Sequence, residues 1–141
     1  MRKMLLPDLA ATEALGVRLA GLVRGGDAIL LEGPLGAGKS ALARALLRAL
    51  AGDPALEVPS PTYTLVQSYD TPRGIVQHFD LWRLDGPAAV PELGWDEADI
   101  ALVEWPDRLG PLRPEHALTV TLVHAGEDAR TAVLTGWEGR L

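Results

Sequence analysis

AILLEGPLGAGKSALARALLRALAG, residues 28–52, decides the fold. Its opening, AILLEG (28–33), is a short continuous apolar run ended by glycine, the pattern of a strand covered on both faces. Its close, SALARALLRALAG (40–52), repeats leucine and alanine at helical spacing and stops at Gly52. Between them GPLGAGKS (33–40) satisfies GxxxxGK(S/T) at every position. Strand, glycine loop and helix are the context in which that motif has a mechanism. Glycines let the chain curl so that successive N–H groups face inward, and the helix start adds roughly half a positive charge toward a bound anion. Gly33, Pro34, Leu35, Gly36, Ala37, Gly38, Lys39, Ser40 and Ala41 are therefore candidate nucleotide-binding residues. Lys39 would carry an ammonium to the β- and γ-phosphates, and the Ser40 hydroxyl would ligate Mg²⁺. A glycine-rich turn that binds nothing would leave the Lys39–Ser40 pair without a packing purpose.

At 141 residues the chain is long enough to bury a real core and short for two, so one phosphate-loop domain spanning 1–141 is expected. Hydrophobic residues make up 48% and charged residues 23%, ordinary for a globular protein. The formal charge is −6 with no run of Lys and Arg, which disfavours direct nucleic-acid binding and leaves any RNA contact to a partner. Cysteine is absent, excluding disulfides, zinc–thiolate sites and thiol nucleophiles. The N-terminal stretch has a basic tip followed by Pro7, Asp8 and Glu13, and no segment reaches the roughly 20 apolar residues of a membrane span. A cytoplasmic protein is expected.

Around the central unit, DLAATEALGVRLAGLV (8–23) reads as an amphipathic helix capped by Asp8 and ended by Gly25-Gly26. TLVQSY (64–69) and GIVQHFDLW (74–82) read as antiparallel neighbours across the turn at Asp70–Arg73. Residues 85–98, broken by prolines and glycines, suggest loop with short helical turns, and IALVEW (100–105) is a further buried strand. HALTVTLVH (116–124) and RTAVLTG (130–136) read as a terminal hairpin. The sum is an α/β fold with a phosphate-loop NTPase core: a mixed sheet with central parallel strands, added antiparallel strands and helices on both faces.

Phosphate-loop enzymes need a carboxylate at a neighbouring strand end to hold Mg²⁺, and usually a group to orient water. Asp80 and Glu104 are the acids that end apolar strands, and either could serve the metal or the chemistry. Asp80 could instead cap the next turn, and Glu104 could be a solvated charge. His78 shares a strand face with Asp80 and could bond phosphate or water, or be an ordinary strand histidine. Thr62 and Thr64 occupy the chain position of a switch threonine. Trp82 and Trp105 either stack on adenine, line a partner surface or pack in the core, and Arg83 is a phosphate-side charge or an exposed strand end. Guanine readers normally use Asn-Lys-x-Asp, and this chain has no asparagine, so ATP is the expected nucleotide. Asp107–Gly110 matches DxxG, but Pro106 and its offset from the strand end favour coincidence.

GPLGAGKS, SPTYTLVQSY, HFDLWRL and LVEWPDRL, in this order and spacing, together resemble the TsaE (YjeE) family of bacterial ATPases across most of residues 8–141. The resemblance implies a phosphate-loop core with added antiparallel strands. It also implies an ATP- and Mg²⁺-dependent, partner-dependent role beside TsaD and TsaB in making N6-threonylcarbamoyladenosine next to the tRNA anticodon, with tRNA reached only through the complex. By position it places Lys39 and Ser40 on phosphate and Mg²⁺, Thr62 in a switch-like segment, Asp80 on the metal side, Glu104 in support of hydrolysis and Trp105 beside nucleotide or partner. The family usually has Asp at Pro34, Thr at Ser40 and Tyr at Trp82; the loss of a carboxylate and an N–H at Pro34 could alter nucleotide affinity. Two other readings are a small-molecule kinase, which would need an arginine-bearing lid not seen here, and a non-catalytic module that gates an interface by nucleotide state.

Overall fold

A computed structural model describes residues 1–141. The central unit forms as expected: β2 (Ala28–Glu32), the glycine loop, then α2 (Lys39–Ala51). Helix α1 (Leu9–Leu22) starts behind Asp8, whose carboxylate accepts the Ala11 N–H at 2.9 Å and so satisfies one of the donors left free at a helix start. It precedes β2, and both α-helices pack on the same side of the sheet.

Strands β3 (Val66–Thr71), β4 (Gly74–Asp80), β5 (Ile100–Glu104), β6 (Leu118–His124) and β7 (Arg130–Thr135) follow, with β1 (Arg2–Leu6) at the N-terminus. They form one seven-stranded sheet in the order β1-β7-β6-β2-β5-β4-β3. The middle block β6-β2-β5-β4 is parallel, and β3, β7 and β1 are added antiparallel to their neighbours. This is the mixed sheet expected from the sequence, with one strand more.

Alternation along the strands divides the core. Ile29, Leu31, Val76, Ile100 and Leu102 face α1 and α2, whose Leu15, Leu19, Leu42, Leu46 and Leu47 meet them. Each fully buried leucine of this layer contributes about 1.5–3 kcal/mol. Leu30, Phe79, Ala101 and Val103 face the other way, under a segment of short 3₁₀ helices at Pro87–Leu93, Trp95–Glu97 and Pro106–Leu112 that contributes Val90 and Leu109. Helical segments thus cover both faces, α-helices on one and 3₁₀ turns on the other. Pro87 and Pro106 open two of these turns, and Pro91 and Pro111 inside them keep them from growing into an α-helix.

Two of the boundaries that depart from the sequence reading lie beside the site. Strand β3 begins at Val66 rather than at residue 64, because Leu65 is left-handed (φ 70°) and donates its N–H to the Pro61 carbonyl at 2.6 Å. Strand β4 ends at Asp80, whose side chain accepts the Trp82 N–H at 3.0 Å and turns the chain. Strand β1 is an addition: the charged RKMLL buries only Leu6, and its strand geometry comes from pairing with β7 at the opposite end of the chain. No helix is long and apolar enough to cross a membrane.

Candidate functional site

The glycine loop leaves the C-terminal end of β2, the edge of a parallel sheet where ligands bind in α/β folds. Gly33, Gly36 and Gly38 have φ of 141°, 77° and 100°, conformations that side chains rarely adopt. At Gly33 a Cβ would also collide with the Leu122 carbonyl of β6. Gly38 then serves as the left-handed N-cap of α2, which brings Lys39 and Ser40 into the first helical turn. Ala37 is buried, while Pro34 and Leu35 stand on the exposed rim and Ala41 follows on the helix.

Lys39 is only 5% exposed. Its ammonium donates to the Gly33 carbonyl and, at 3.3 Å, to that of Pro34, and lies 3.8 Å from the centroid of the Trp105 ring. Burial pushes its pKa below the usual lysine value, opposed by the carboxylates of Glu104, Asp80 and Asp107. A desolvated cation facing acids at a loop rich in N–H donors is an anion-binding arrangement.

The strand register sets the acids side by side. Asp80 of β4 pairs with Glu104 of β5, and Glu104 pairs with Leu31 of β2 just before the loop. Both acids are buried, at 4% and 3% exposure. The Glu104 carboxylate reaches two ways: Oε1 lies 3.5 Å from Ser40 Oγ, and Oε2 lies 2.8 Å from His78 Nε2. Asp80 is occupied differently, with Oδ2 accepting from Thr62 Oγ1 at 2.9 Å and Oδ1 from the Trp82 N–H. His78 therefore turns to Glu104, and Asp80 both caps its turn and holds Thr62. Thr64 accepts from Gln67 instead, away from this set.

The rim is aromatic. The rings of Trp82 and Trp105 lie 4.4 Å apart at 45°. Trp105 is itself left-handed (φ 59°), a conformation costing on the order of 1 kcal/mol in a bulky residue and one that sets its ring over Lys39. Arg83 lies over the exposed Tyr63, 5.3 Å from the ring centroid. Asp107 pairs with its neighbour Arg108 at 2.5 Å. The resulting cleft of about 380 Å³ is lined by the loop, Thr62, Asp80, Trp82, Glu104 and Trp105. Its oxygen donors, Ser40 Oγ and the carboxylates of Glu104 and Asp80, are of the kind a hard cation such as Mg²⁺ takes, so the residues present fit that metal.

The model of the family described as "Threonylcarbamoyl adenosine biosynthesis protein TsaE" matches residues 6–132. The chain belongs to the TsaE family. Among TsaE relatives, the protein of Nostoc sp. is 34% identical over 96% of this chain and 86% of its own, and that of Synechocystis sp. is 41% identical over 76% and 71%. Both are named tRNA threonylcarbamoyladenosine biosynthesis protein TsaE. A crystal structure of Bacillus subtilis YdiB superposes with a TM-score of 0.77 at 25% identity, covering 99% of this chain and 87% of that one.

One part of this TsaE chain's site was not legible from motifs. A second cleft of about 360 Å³ shares Gly38 and Ala41 with the first and is lined by Asp8, Leu9, Thr12, Asp128 and Arg130. Its residues come from the start of α1 and from the terminal hairpin, far from the loop in sequence. None belongs to a nucleotide-binding pattern, and the pairing of β6 with β2 brings the hairpin to the loop.

Proposed function

We propose that the chain binds and hydrolyses ATP as the subunit that supports a TsaD/TsaB complex in forming threonylcarbamoyladenosine in tRNA. Family membership supports the pathway, and one contact carries the chemistry: Ser40 Oγ and Glu104 Oε1 meet at 3.5 Å directly beyond the phosphate loop. In this reading the loop N–H groups and Lys39 take the phosphates, and the ribose and base lie toward the second cleft past Gly38 and Ala41. Lys39 exchanges its bonds to the Gly33 and Pro34 carbonyls for the terminal phosphates. Ser40 and Glu104 would hold Mg²⁺, which would supply charge neutralisation to the phosphates. In this reading Glu104 serves the metal side because its Oε1 faces Ser40 Oγ, and Asp80 sets Thr62 at the cleft. Trp105 and the exposed Tyr63, Trp82 and Leu35 border the nucleotide, a rim through which TsaD or TsaB would sense it.

The test is an ATPase assay on the chain alone and with TsaB and TsaD, for wild type, Lys39→Ala and Glu104→Gln. Lys39→Ala is expected to lose nucleotide binding. Glu104→Gln is expected to bind ATP yet hydrolyse it about a hundredfold more slowly or worse. Wild-type hydrolysis by Glu104→Gln would sink the assignment of Glu104, and transfer of phosphate to a metabolite rather than to water would replace an ATPase with a kinase.

A further inference from the structure

We propose that Arg130 is a positioning residue that holds the phosphate loop in its anion-binding shape before any nucleotide arrives, a role that rests on reading the loop as a phosphate site. Arg130 opens β7, opposite His124 of β6, so its side chain starts from the turn of the terminal hairpin. Its guanidinium makes a fan of bonds to main-chain carbonyls. Nε donates to Ala37 O and one Nη to Gly36 O, both at 3.2 Å, while the other Nη donates to Ala129 O at 2.9 Å and Glu127 O at 3.3 Å. The loop and the hairpin are thereby joined through one planar group.

Peptide geometry gives that link its consequence. In a trans peptide the C=O and the following N–H point in opposite directions. Anchoring the Ala37 carbonyl to Arg130 thus turns the Gly38 N–H the other way, and Gly38 lines both clefts. Without the guanidinium, the Gly36–Ala37 peptide keeps the Ala37 N–H bond to the Pro34 carbonyl at 3.2 Å, but the Ala37–Gly38 peptide loses its anchor beside a glycine with no side chain to restrain it. The Leu122 carbonyl of the same hairpin leaves no room for a Cβ at Gly33, so β6 also closes in on the loop. Lysine cannot substitute, because one ammonium lacks the flat fork that spans two carbonyls on one side and two on the other.

A residue that only sets the fraction of binding-competent loop weakens every phosphate ligand by the same factor. A residue that touches ribose or base weakens only ligands that have them, and Arg130 also lines the second cleft. Calorimetric titration of wild type, Arg130→Ala and Arg130→Lys with ADP and with inorganic tripolyphosphate separates the two, with circular dichroism to confirm folding. Both variants are expected to lose affinity by a common factor of about ten for both ligands, the loss expected if one molecule in ten keeps a competent loop. A loss confined to ADP would overturn the proposal in favour of a base or ribose contact. Wild-type affinity in folded Arg130→Lys would overturn it in favour of simple charge. Should Arg130→Ala fail to fold, Arg130→Lys with the same two ligands decides. If wild type binds neither ligand, the phosphate-site reading fails instead.

Discussion

His78 and Glu104 stand on adjacent parallel strands and meet at 2.8 Å, Nε2 to Oε2, with side chains 2% and 3% exposed. The other oxygen of the same carboxylate faces Ser40. The histidine thus fixes how Glu104 presents its other oxygen to Ser40 and the cleft. His78→Ala removes that partner and leaves a buried carboxylate short of a bond, which is expected to cost about 1–3 kcal/mol in urea unfolding. It is also expected to raise the Mg²⁺ concentration needed for half-maximal hydrolysis, while His78→Gln, which can still donate, recovers part of both. An unchanged Mg²⁺ requirement in folded His78→Ala would remove His78 from the metal side.

Thr62 reaches Asp80 across the cleft, and Ser60 supports it at 2.8 Å. Thr62→Ser keeps the hydroxyl and should behave as wild type in stability and hydrolysis. Thr62→Val fills the same space without a donor and should lose about 1–2 kcal/mol and slow hydrolysis. Equal behaviour of the two variants in thermal melts and phosphate-release assays would mean the hydrogen bond is idle.

Gly33 combines a positive φ with the Leu122 carbonyl pressed against it. Gly33→Ala must distort either the loop or β6. The expected result is a loss of at least about 2 kcal/mol by thermal or chemical denaturation, accompanied by lost nucleotide binding. Gly36→Ala, where a Cβ meets nothing but φ is 77°, should cost less.

Tyr69 carries a buried hydroxyl with no partner, and burial raises its pKa above the usual tyrosine value. A raised folded pKa means that the native state keeps a proton the unfolded chain gives up. Stability is therefore intact below the unfolded value near pH ~10 and declines as pH rises through the folded one. Tyr69→Phe removes both the unmet hydroxyl and the titration. It should leave the protein as stable or about 1 kcal/mol more stable at neutral pH and flatten the alkaline decline. A destabilised Tyr69→Phe would reveal a partner for the hydroxyl.

Much of the molecule was open to reading because it is governed by neighbours in the chain. The strand-loop-helix unit, the Asp8 cap, the β3–β4 and β6–β7 hairpins and the proline-broken turns are local matters of periodicity, capping and turn chemistry. Strand β1 escaped because its residues do not alternate in the manner of a strand and its pairing partner is β7. The bend at Leu65 escaped because a leucine seldom turns left-handed without a tertiary reason.

The site divides in the same way. GPLGAGKS states its own chemistry, since the glycines, Lys39 and Ser40 act through the backbone curl they themselves create. Strand ends marked Asp80 and Glu104 as the acids to watch but left them interchangeable. Only the parallel register, which sets Leu31, Glu104 and Asp80 in one row, turned Glu104 to Ser40 and His78 and gave Asp80 to Thr62 and the Trp82 N–H. Only the closing of the sheet through β6 carried Arg130 to the carbonyls of Gly36 and Ala37. Local sequence determines where a chain can curl and which groups it offers; which groups then meet depends on strand register and sheet order, set by burying apolar faces drawn from the whole chain.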